Sequence, residues 1–396
     1  MKKILNWVAA TIFTIYGISA LASCSNDEQI VVPTNEVEMQ LQKLTLREKI
    51  GQLFYVRPEC LDTTIHFNQP SSIDGSIDDI KKIKLQSINA TMLGVNDKYP
   101  VGGIILYAHN IKDEAQLSAF VSQIRTLKGS PLLCIDEEGG RVARIANNEN
   151  FQVEKFESMG AIGSTGDPKN AYHCGKTIGT YLQRYGFDID FAPVADVNTN
   201  PENIVIGARA FSADPKVAAP MVVNYLQGLK DAGVVGCIKH FPGHGDTKAD
   251  THFGYAQSLK TWKEMKDCEM ITFKAGIAWG TELIMSAHIS LPRITGSDVP
   301  ATMSPLILQD KLRGELGYQN IIITDAMEMG AITKQYNNAE AAVGTLLAGA
   351  DIVLGPQNFV EAFDAVVKAV EEGTLTEQRI DQSVRRILKL KKQIRH

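Results

Sequence analysis

The chain has 396 residues and a formal net charge of −5 at pH 7. Because no basic cluster occurs outside the last predicted helix, the charge pattern offers no case for nucleic-acid binding. The six cysteines show no CxxC spacing, so a disulfide framework is not indicated. Cys134 and Cys237 lie inside apolar segments, which predicts buried thiols.

The first residues have the pattern of an export signal. Lys2 and Lys3 precede an apolar run over residues 4–21, barely as long as the roughly 20 residues of a membrane-spanning helix and without stop-transfer charges. The run ends in LASC, which resembles the lipobox of bacterial lipoproteins, where the cysteine becomes the acylated first residue. We therefore predict a signal peptide over 1–23, lipidation of Cys24, and export to the outer membrane with the lipid as the only membrane contact. A plain secretory signal with a chance cysteine is the alternative.

The chain after the signal is long enough for one large α/β barrel or two ordinary domains, at about 370 residues. Residues 24–40 are predicted to form a tether. Thr45 and Glu48 then have the spacing of a capping box, which predicts the start of a helix. No repeat interrupts the remainder, so residues 41–396 are predicted to be one catalytic domain.

Short β-rich apolar segments recur along this domain, most of them followed by a helical pattern. They are residues 52–57, 102–107, 132–136, 189–197, 234–241, 283–289, 320–327 and 351–355. Helical spacing is clearest at Leu117, Phe120, Val121 and Ile124, and at Ile380, Val384, Ile387 and Leu388. Eight apolar strands alternating with helices predict an α/β fold, a single (β/α)8 TIM-type barrel with long loops at its C-terminal face. A doubly wound open sheet is the alternative.

Polar residues follow the predicted strands at their C-terminal ends, where barrels of this type carry their chemistry. They are Asp136, Asp196, Asn198, Lys239, His240, His288 and Asp325. A buried carboxylate costs several kcal/mol unless it is paired or hydrogen-bonded. We therefore interpret this set as a candidate site, although any single member could be a satisfied structural group.

Two of these strand ends carry distinctive local patterns. In IIITDAMEMG, Asp325 directly follows an apolar run and could act as nucleophile, general base or metal ligand, with Glu328 as a rival. In DEEGGRVARI, a Gly-Gly turn is expected to bring Arg141 and Arg144 near Asp136. Carboxylate and guanidinium together suit a ligand rich in hydroxyl groups, while pairing for stability alone fits equally well.

The segment KHFPGHGDTKADTHFG, residues 239–254, is too polar for a helix or a strand. Its histidines match no zinc-binding spacing, and its glycines do not form a phosphate-binding loop. Asp250 stands two residues before His252, where it could hold one imidazole nitrogen and leave the other as a general acid/base. A solvated loop histidine is the alternative.

These motifs together resemble glycoside hydrolase family 3, in its β-N-acetylglucosaminidase branch. KHFPGHGDTKADTH is similar to the family's signature loop. IDEEGGRVARI, APVADVNTNPENIVIGARAF, MSAHI and IITDAMEMGAI are similar to its other motifs and occur in the family's order. The resemblance runs from about residue 40 to the end, with a longer segment than usual at 59–80.

The resemblance implies a barrel that bears the whole active site without a cofactor or metal. By motif, Asp325 is the expected nucleophile and His252 the acid/base, with Asp250 as its partner. The residues expected to bind the sugar are Asp136, Arg144, Arg209, Lys239 and His240. The expected reaction is retaining hydrolysis of a terminal β-linked N-acetylglucosamine on a glycan or peptidoglycan fragment. The alternatives are a phosphorylase that uses phosphate as acceptor and a non-catalytic sugar-binding lipoprotein.

Overall fold

A parallel eight-stranded sheet forms the centre of the protein in the computed structural model, which describes residues 36–65, 83–249 and 256–394. The strands in chain order are β1 (Phe54–Val56), β2 (Gly103–Leu106), β3 (Leu132–Ile135), β4 (Ile189–Asp190), β5 (Val235–Phe241), β6 (Lys248–Ala249), β7 (Ala256–Gln257), β8 (Leu283–Ser286), β9 (Ile321–Thr324) and β10 (Val353–Leu354). The order in the large sheet is β10-β1-β2-β3-β4-β5-β8-β9, and β6 pairs with β7 in a separate antiparallel pair.

The two edge strands of the large sheet meet and close it into a barrel. Ile323 and Ile352 form a parallel bridge, and the Thr324 amide donates to the Ile352 carbonyl at 3.0 Å. All eight predicted strand segments therefore contribute to one barrel, which confirms the fold and excludes the open sheet. Close approach between strands depends on Gly103, because a Cβ there would lie 2.4 Å from the Tyr55 ring.

Helices cover the outside of the barrel between the strands. They are α1 (Glu36–Lys43), α2 (Leu46–Gln52), α3 (Ala90–Lys98), α4 (Glu114–Ile124), α5 (Met159–Ser164), α6 (Pro168–Arg184), α7 (Pro215–Asp231), α8 (Trp262–Lys266), α9 (Glu269–Trp279), α10 (Pro292–Thr295), a π-helix (Leu306–Glu315), α11 (Gly330–Thr333), α12 (Asn338–Ala348), α13 (Phe359–Glu371) and α14 (Glu377–Ile394). The apolar positions predicted on α4 and α14 are buried, and Thr45 forms the predicted capping box with Glu48. The thiols of Cys134 and Cys237 are buried as predicted.

The N-terminal end of the barrel is held by buried charge. Asp351, just before β10, accepts hydrogen bonds from Arg313 at 2.6 Å, Arg386 at 2.9 Å and Ser383 at 2.6 Å. Burial raises the pKa of Asp351, but the surrounding guanidinium groups outweigh that effect and lower it. From α14, Lys391 also reaches the Gly129 carbonyl at 2.8 Å. The last helix thereby ties together the strand starts opposite the candidate site.

Helix α1 overlaps the C-terminal part of the segment predicted as a tether, residues 24–40. Helix α1 covers residues 36–43, because Val37 and Leu41 are buried one helical turn apart. Its Glu38 pairs with Arg385 of α14, with one contact at 2.9 Å. The predicted signal peptide and Cys24 lie outside the described residues. Within the described ranges, no helix combines the length and apolar character needed to cross a membrane.

Candidate active site

The C-terminal ends of the barrel strands bring most of the predicted site residues to one end of the molecule. Asp136 follows β3, while Lys239 and His240 lie within β5. Asp325 follows β9, which is separated from β5 in the sheet only by β8. Arg209 reaches the same end from a single 3₁₀ turn, Gly207–Arg209, in the connection between β4 and α7.

Two carboxylates and three cations form a connected network at this end. The Lys239 Nζ lies 2.8 Å from Asp136 Oδ1 and 2.6 Å from Glu138 Oε1. Arg209 donates to both oxygens of Glu138, from Nε at 2.8 Å and from Nη2 at 2.7 Å. Arg144 reaches Asp136 Oδ2 at 3.3 Å. These contacts hold each polar group of the network in one orientation. The network contains more cationic than anionic side chains.

Charge pairing within the network keeps both carboxylates ionised. Burial raises the pKa of Asp136, but the charges of Lys239 and Arg144 outweigh it and lower the pKa. Burial likewise opposes ionisation of Glu138, yet Arg209 and Lys239 move its pKa far below the ordinary range. The same contacts raise the pKa of Lys239 despite its burial. A hydroxyl-rich ligand would therefore meet fixed acceptors and donors side by side.

His240 is fixed in one tautomer by its two neighbours. Its Nδ1 lies 2.6 Å from Asp196 Oδ2, and its Nε2 lies 3.3 Å from Arg209 Nη2. Because a guanidinium can only donate, Nε2 accepts and Nδ1 carries the proton that is donated to Asp196. Asp196 also accepts from the His244 amide at 2.6 Å. Burial lowers the pKa of His244 to about 4, so the His244 imidazole is neutral near pH 7.

Asp325 is held by the backbone of its own turn and of β8. Its amide donates to the Ser286 carbonyl at 2.9 Å, and its Oδ1 accepts from the Ala326 amide at 2.8 Å. The side chain is half-buried. His288 follows β8, as the strand-end pattern indicated, and lies against the turn that carries Asp325. Its Nε2 donates to the Ala326 carbonyl at 3.0 Å and its Nδ1 lies 3.0 Å from the Thr302 hydroxyl, so the ring joins the turn after β9 to the segment that contains Thr302.

Arg141 differs from the expectation raised by its motif, and Glu328, the rival of Asp325, is paired with an arginine. Arg141 was expected near Asp136, but its guanidinium donates to the carbonyl of Ile204 at 2.9 Å, because the Gly-Gly turn directs it toward the β4 connection. Glu328 stays at the barrel end and pairs with Arg57 at 2.7 Å, with both side chains buried. Burial raises the pKa of Glu328 to about 7, against the opposing charge of Arg57.

Glu138 and Arg57 were missed by the sequence interpretation. Glu138 stands beside Asp136 in DEEGG, so the paired glutamates directly after an apolar strand were the available signal. For Arg57 the signal was a charge that directly follows the apolar segment QLFYV. Within the described ranges, no group of three or more His, Cys, Asp and Glu side chains is arranged to hold a metal ion.

The segment that contains Asp250 and His252 is flanked by the antiparallel pair β6 and β7, in which Lys248 faces Gln257 and Ala249 faces Ala256. Residues 250–255 themselves lie outside the described residues, as do 66–82 of the long segment after β1. We call the β6 and β7 pair the β6–β7 stem, and the chain is anchored on both sides of it. Asn203 donates to the His244 carbonyl at 2.7 Å, and the Ser258 amide donates to the Ser290 carbonyl at 3.1 Å.

Known proteins are similar to this chain in sequence and in architecture. Residues 45–390 match the N-terminal domain of glycosyl hydrolase family 3. A beta-hexosaminidase A of Pseudoalteromonas piscicida is 35% identical over 323 residues, covering 74% of this chain and 54% of that protein. A beta-hexosaminidase of Stenotrophomonas maltophilia strain K279a is 34% identical over 273 residues, covering 67% of this chain and 80% of that protein.

Solved structures also superpose on most of the chain. A glycoside hydrolase family 3 beta-N-acetylglucosaminidase from Paenibacillus sp. str. FPU-7 has a TM-score of 0.75 at 33% identity, covering 89% of this chain and 63% of its own. The beta-glucoside phosphorylase BglX has a TM-score of 0.74 at 25% identity, covering 91% of this chain and 60% of its own. The chain thus spans little more than half the length of some relatives. With the family domain matched from residue 45 to 390, the chain belongs to glycosyl hydrolase family 3, a family of glycosidases.

Proposed function

We propose that the protein is a retaining glycosidase that removes terminal non-reducing β-linked N-acetylglucosamine from a glycan or peptidoglycan fragment. The observation that carries this proposal is the network of Asp136, Lys239, Glu138 and Arg209 at the same barrel end as Asp325. Further support comes from the beta-hexosaminidases and the beta-N-acetylglucosaminidase to which the chain is similar.

The proposed sugar site uses the network as a set of paired donors and acceptors. Asp136 would accept from sugar hydroxyl groups, while Lys239, Arg144 and Arg209 would donate to sugar oxygens. His240 holds its proton on Nδ1 toward Asp196 and accepts from Arg209 at Nε2, so it would fix the Arg209 guanidinium beside the sugar. Such a site would recognise a sugar by the positions of its hydroxyl groups rather than by a net charge on the ligand.

The proposed chemistry is a double displacement. An Asp325 oxygen attacks the anomeric carbon while His252 gives its proton to the departing glycosidic oxygen, whose bond to that carbon breaks. Water then attacks the same carbon and gives a proton to His252, and the bond to Asp325 breaks. Asp250 would orient the imidazole. Support for these two residues is the motif, together with the anchored β6–β7 stem on either side of them.

The first experiment is release of nitrophenol from p-nitrophenyl N-acetyl-β-glucosaminide by the protein starting at residue 25. The β-glucoside is measured in parallel, each with and without added phosphate. We expect preference for the N-acetyl sugar without a phosphate requirement. Strong stimulation by phosphate would instead assign a phosphorylase, a candidate favoured by the similarity to BglX. Absence of turnover with sugar binding retained would assign a binding protein.

The role of Asp325 is tested by Asp325→Asn, with exposed Asp231→Asn as the matched control. We expect kcat to fall by about a thousandfold or more in the first variant and to stay unchanged in the control. Azide added to Asp325→Gly should restore turnover and give the α-glycosyl azide, because azide enters from the face that the carboxylate occupied. Unchanged turnover in Asp325→Asn would remove this residue from the mechanism.

We further propose that the protein is an outer-membrane lipoprotein acylated at Cys24. Its support is the LASC motif after an apolar run with a charged start. The test is metabolic labelling with a palmitate analogue in a bacterial host, with Cys24→Ala as the control. Label in the wild type alone, in the outer-membrane fraction, is the expected result. Equal recovery of both proteins as soluble periplasmic chains would overturn the proposal.

A further inference from the structure

Glu137 carries a buried carboxylate that accepts four hydrogen bonds from one side of the barrel mouth. Its Oε2 accepts from the amides of Arg144 and Ile145, the latter at 2.9 Å. Its Oε1 accepts from the Ala146 amide at 2.8 Å and from the Tyr181 hydroxyl at 2.9 Å. Among the described residues, no lysine or arginine forms an ion pair with Glu137. The charge is therefore held by dipoles of a particular backbone conformation.

The backbone of Glu137 is itself fixed from two other directions. Its amide donates to Asp190 Oδ1 of β4 at 2.9 Å. The Tyr225 hydroxyl of α7 donates to the carbonyls of Glu137 and Glu138, at 3.2 and 3.3 Å. The side chain thus links a rigid point at the end of β3 to residues 144–146, which return from the Gly139–Gly140 turn. Burial raises the pKa of Glu137, and the hydrogen bonds from residues 144–146 and Tyr181 oppose that shift.

We call the four hydrogen bonds to the Glu137 carboxylate the clamp. The residue that the clamp positions is Arg144. Its amide is one of the four donors, and its guanidinium lies 3.3 Å from Asp136 and 5.7 Å from the centre of the Tyr107 ring. An arginine side chain has many rotamers, and fixing its backbone reduces the cost of holding the head group beside Asp136. The Gly139–Gly140 turn before this segment has φ values of +90° and +64°, which glycine adopts without steric cost.

We propose that Glu137 is a positioning residue, whose carboxylate fixes the 144–146 backbone so that Arg144 presents its guanidinium to the sugar beside Asp136. This rests on the proposed function, because it assigns the sugar as the ligand of Arg144. Glu137 does not touch the substrate. Its contribution is made through Arg144, and this separates it from Glu138, which contacts the cations of the network directly.

The test is a double-mutant cycle with Glu137→Gln and Arg144→Met, measured on the N-acetylglucosaminide. Glutamine keeps the shape but sets an NH2 group against amide donors. We expect KM to rise about tenfold to a hundredfold in each single variant, with kcat changed by less than about threefold. Both changes remove the contact between the Arg144 guanidinium and the sugar. The KM of the double variant should therefore be no higher than that of Arg144→Met. An unchanged KM in Glu137→Gln, or effects that multiply in the double variant, would overturn the proposal.

Amide hydrogen exchange gives a readout that is independent of the reaction. In Glu137→Gln the amides of residues 144–146 should exchange at least tenfold faster than in the wild type, while those of β8 should keep their protection. Equal exchange in both proteins would overturn the clamp even if the sugar is recognised. If Glu137→Gln does not fold, Tyr181→Phe takes its place. This variant removes one donor of four, so it should produce a smaller rise in KM and in the exchange rate of the 144–146 amides. A wild type without activity on any N-acetyl sugar would count against the proposed function, whereas an active wild type with an unaffected Glu137→Gln would count against the clamp.

Discussion

Glutamine in place of Glu138 should destabilise the protein more than most single substitutions. The glutamate side chain is fully buried and accepts three charge-assisted hydrogen bonds, two from Arg209 and one from Lys239. Glutamine would keep one acceptor oxygen, but its NH2 group would face a donor. Three cations would then share Asp136 as the one remaining carboxylate of the network.

The expected magnitude follows from the cost of leaving buried charge without its partner. Breaking a buried ion pair by removing one member costs about 3–5 kcal/mol, because the other charge stays desolvated. Three lost or weakened bonds to charged groups, at about 1.5–3 kcal/mol each, set an upper range that the surviving Lys239–Asp136 contact reduces. We therefore expect the free energy of unfolding to fall by about 3–5 kcal/mol.

Urea unfolding followed by tryptophan fluorescence measures this difference, and the pH dependence tests its cause. A carboxylate whose folded pKa lies below its unfolded value contributes stability above the unfolded pKa and loses it as the pH falls through the folded one. The pKa of Glu138 is depressed by Arg209 and Lys239, which outweigh burial. The gap between wild type and variant should therefore be constant between about pH 5 and 8 and shrink only in acid.

The matched control for Glu138→Gln is Asp97→Asn, which removes an exposed partner of Lys128 that lies 3.3 Å away. Surface ion pairs of this kind contribute little, so the unfolding midpoint should not change measurably. A Glu138→Gln midpoint equal to that of the wild type would refute the reasoning. It would mean that Arg209 and Lys239 are held by other contacts and that the network is not organised around Glu138.

Two further substitutions test buried carboxylates whose pKa values are shifted in opposite directions, upward for Asp190 and downward for Asp351. Burial raises the pKa of Asp190 well above its ordinary value, so wild-type stability should fall relative to Asp190→Asn as the pH rises from about 5 to 8; a constant difference in urea midpoint over that range would contradict this. Asp351→Asn should lower the free energy of unfolding by about 3–5 kcal/mol, because it leaves Arg313, Arg379 and Arg386 without their shared counter-charge. Thermal unfolding at low and high salt measures the effect, and an unchanged midpoint would show that backbone carbonyls alone satisfy these arginines.

Much of the barrel could be predicted from the sequence because its signals are local. A strand buried on both faces needs a continuous apolar run, and each of the eight predicted segments contains such a strand. Helix faces follow in the same way from spacing, as at Leu117 and Phe120 of α4. Polar residues directly after these runs were predictable as a set, because the C-terminal ends of parallel strands meet at one end of a barrel.

Apart from Arg144, which was predicted near Asp136, the partners of those polar residues were not predictable, because they come from distant parts of the chain. Glu138 meets Arg209 71 residues later, and Arg57 meets Glu328 across the strand that closes the barrel. Arg141 and Arg144 have similar local sequence, yet one binds backbone carbonyls and the other reaches Asp136. His288 follows a strand as Asp325 does, but its two ring nitrogens contact the Ala326 carbonyl and the Thr302 hydroxyl.

The sequence by itself determined the eight strands of the barrel and the end of the barrel at which polar groups collect, but it missed β6 inside the segment 239–254 and α1 inside the predicted tether. Those properties depend on periodicity and on the burial of apolar side chains, which act over a few residues. Only the tertiary structure decided which charges pair, which histidine tautomer is held, and which glutamate fixes the loop after β3. Pairing energies depend on distances of about 3 Å between groups far apart in the chain, and closure of the barrel sets those distances.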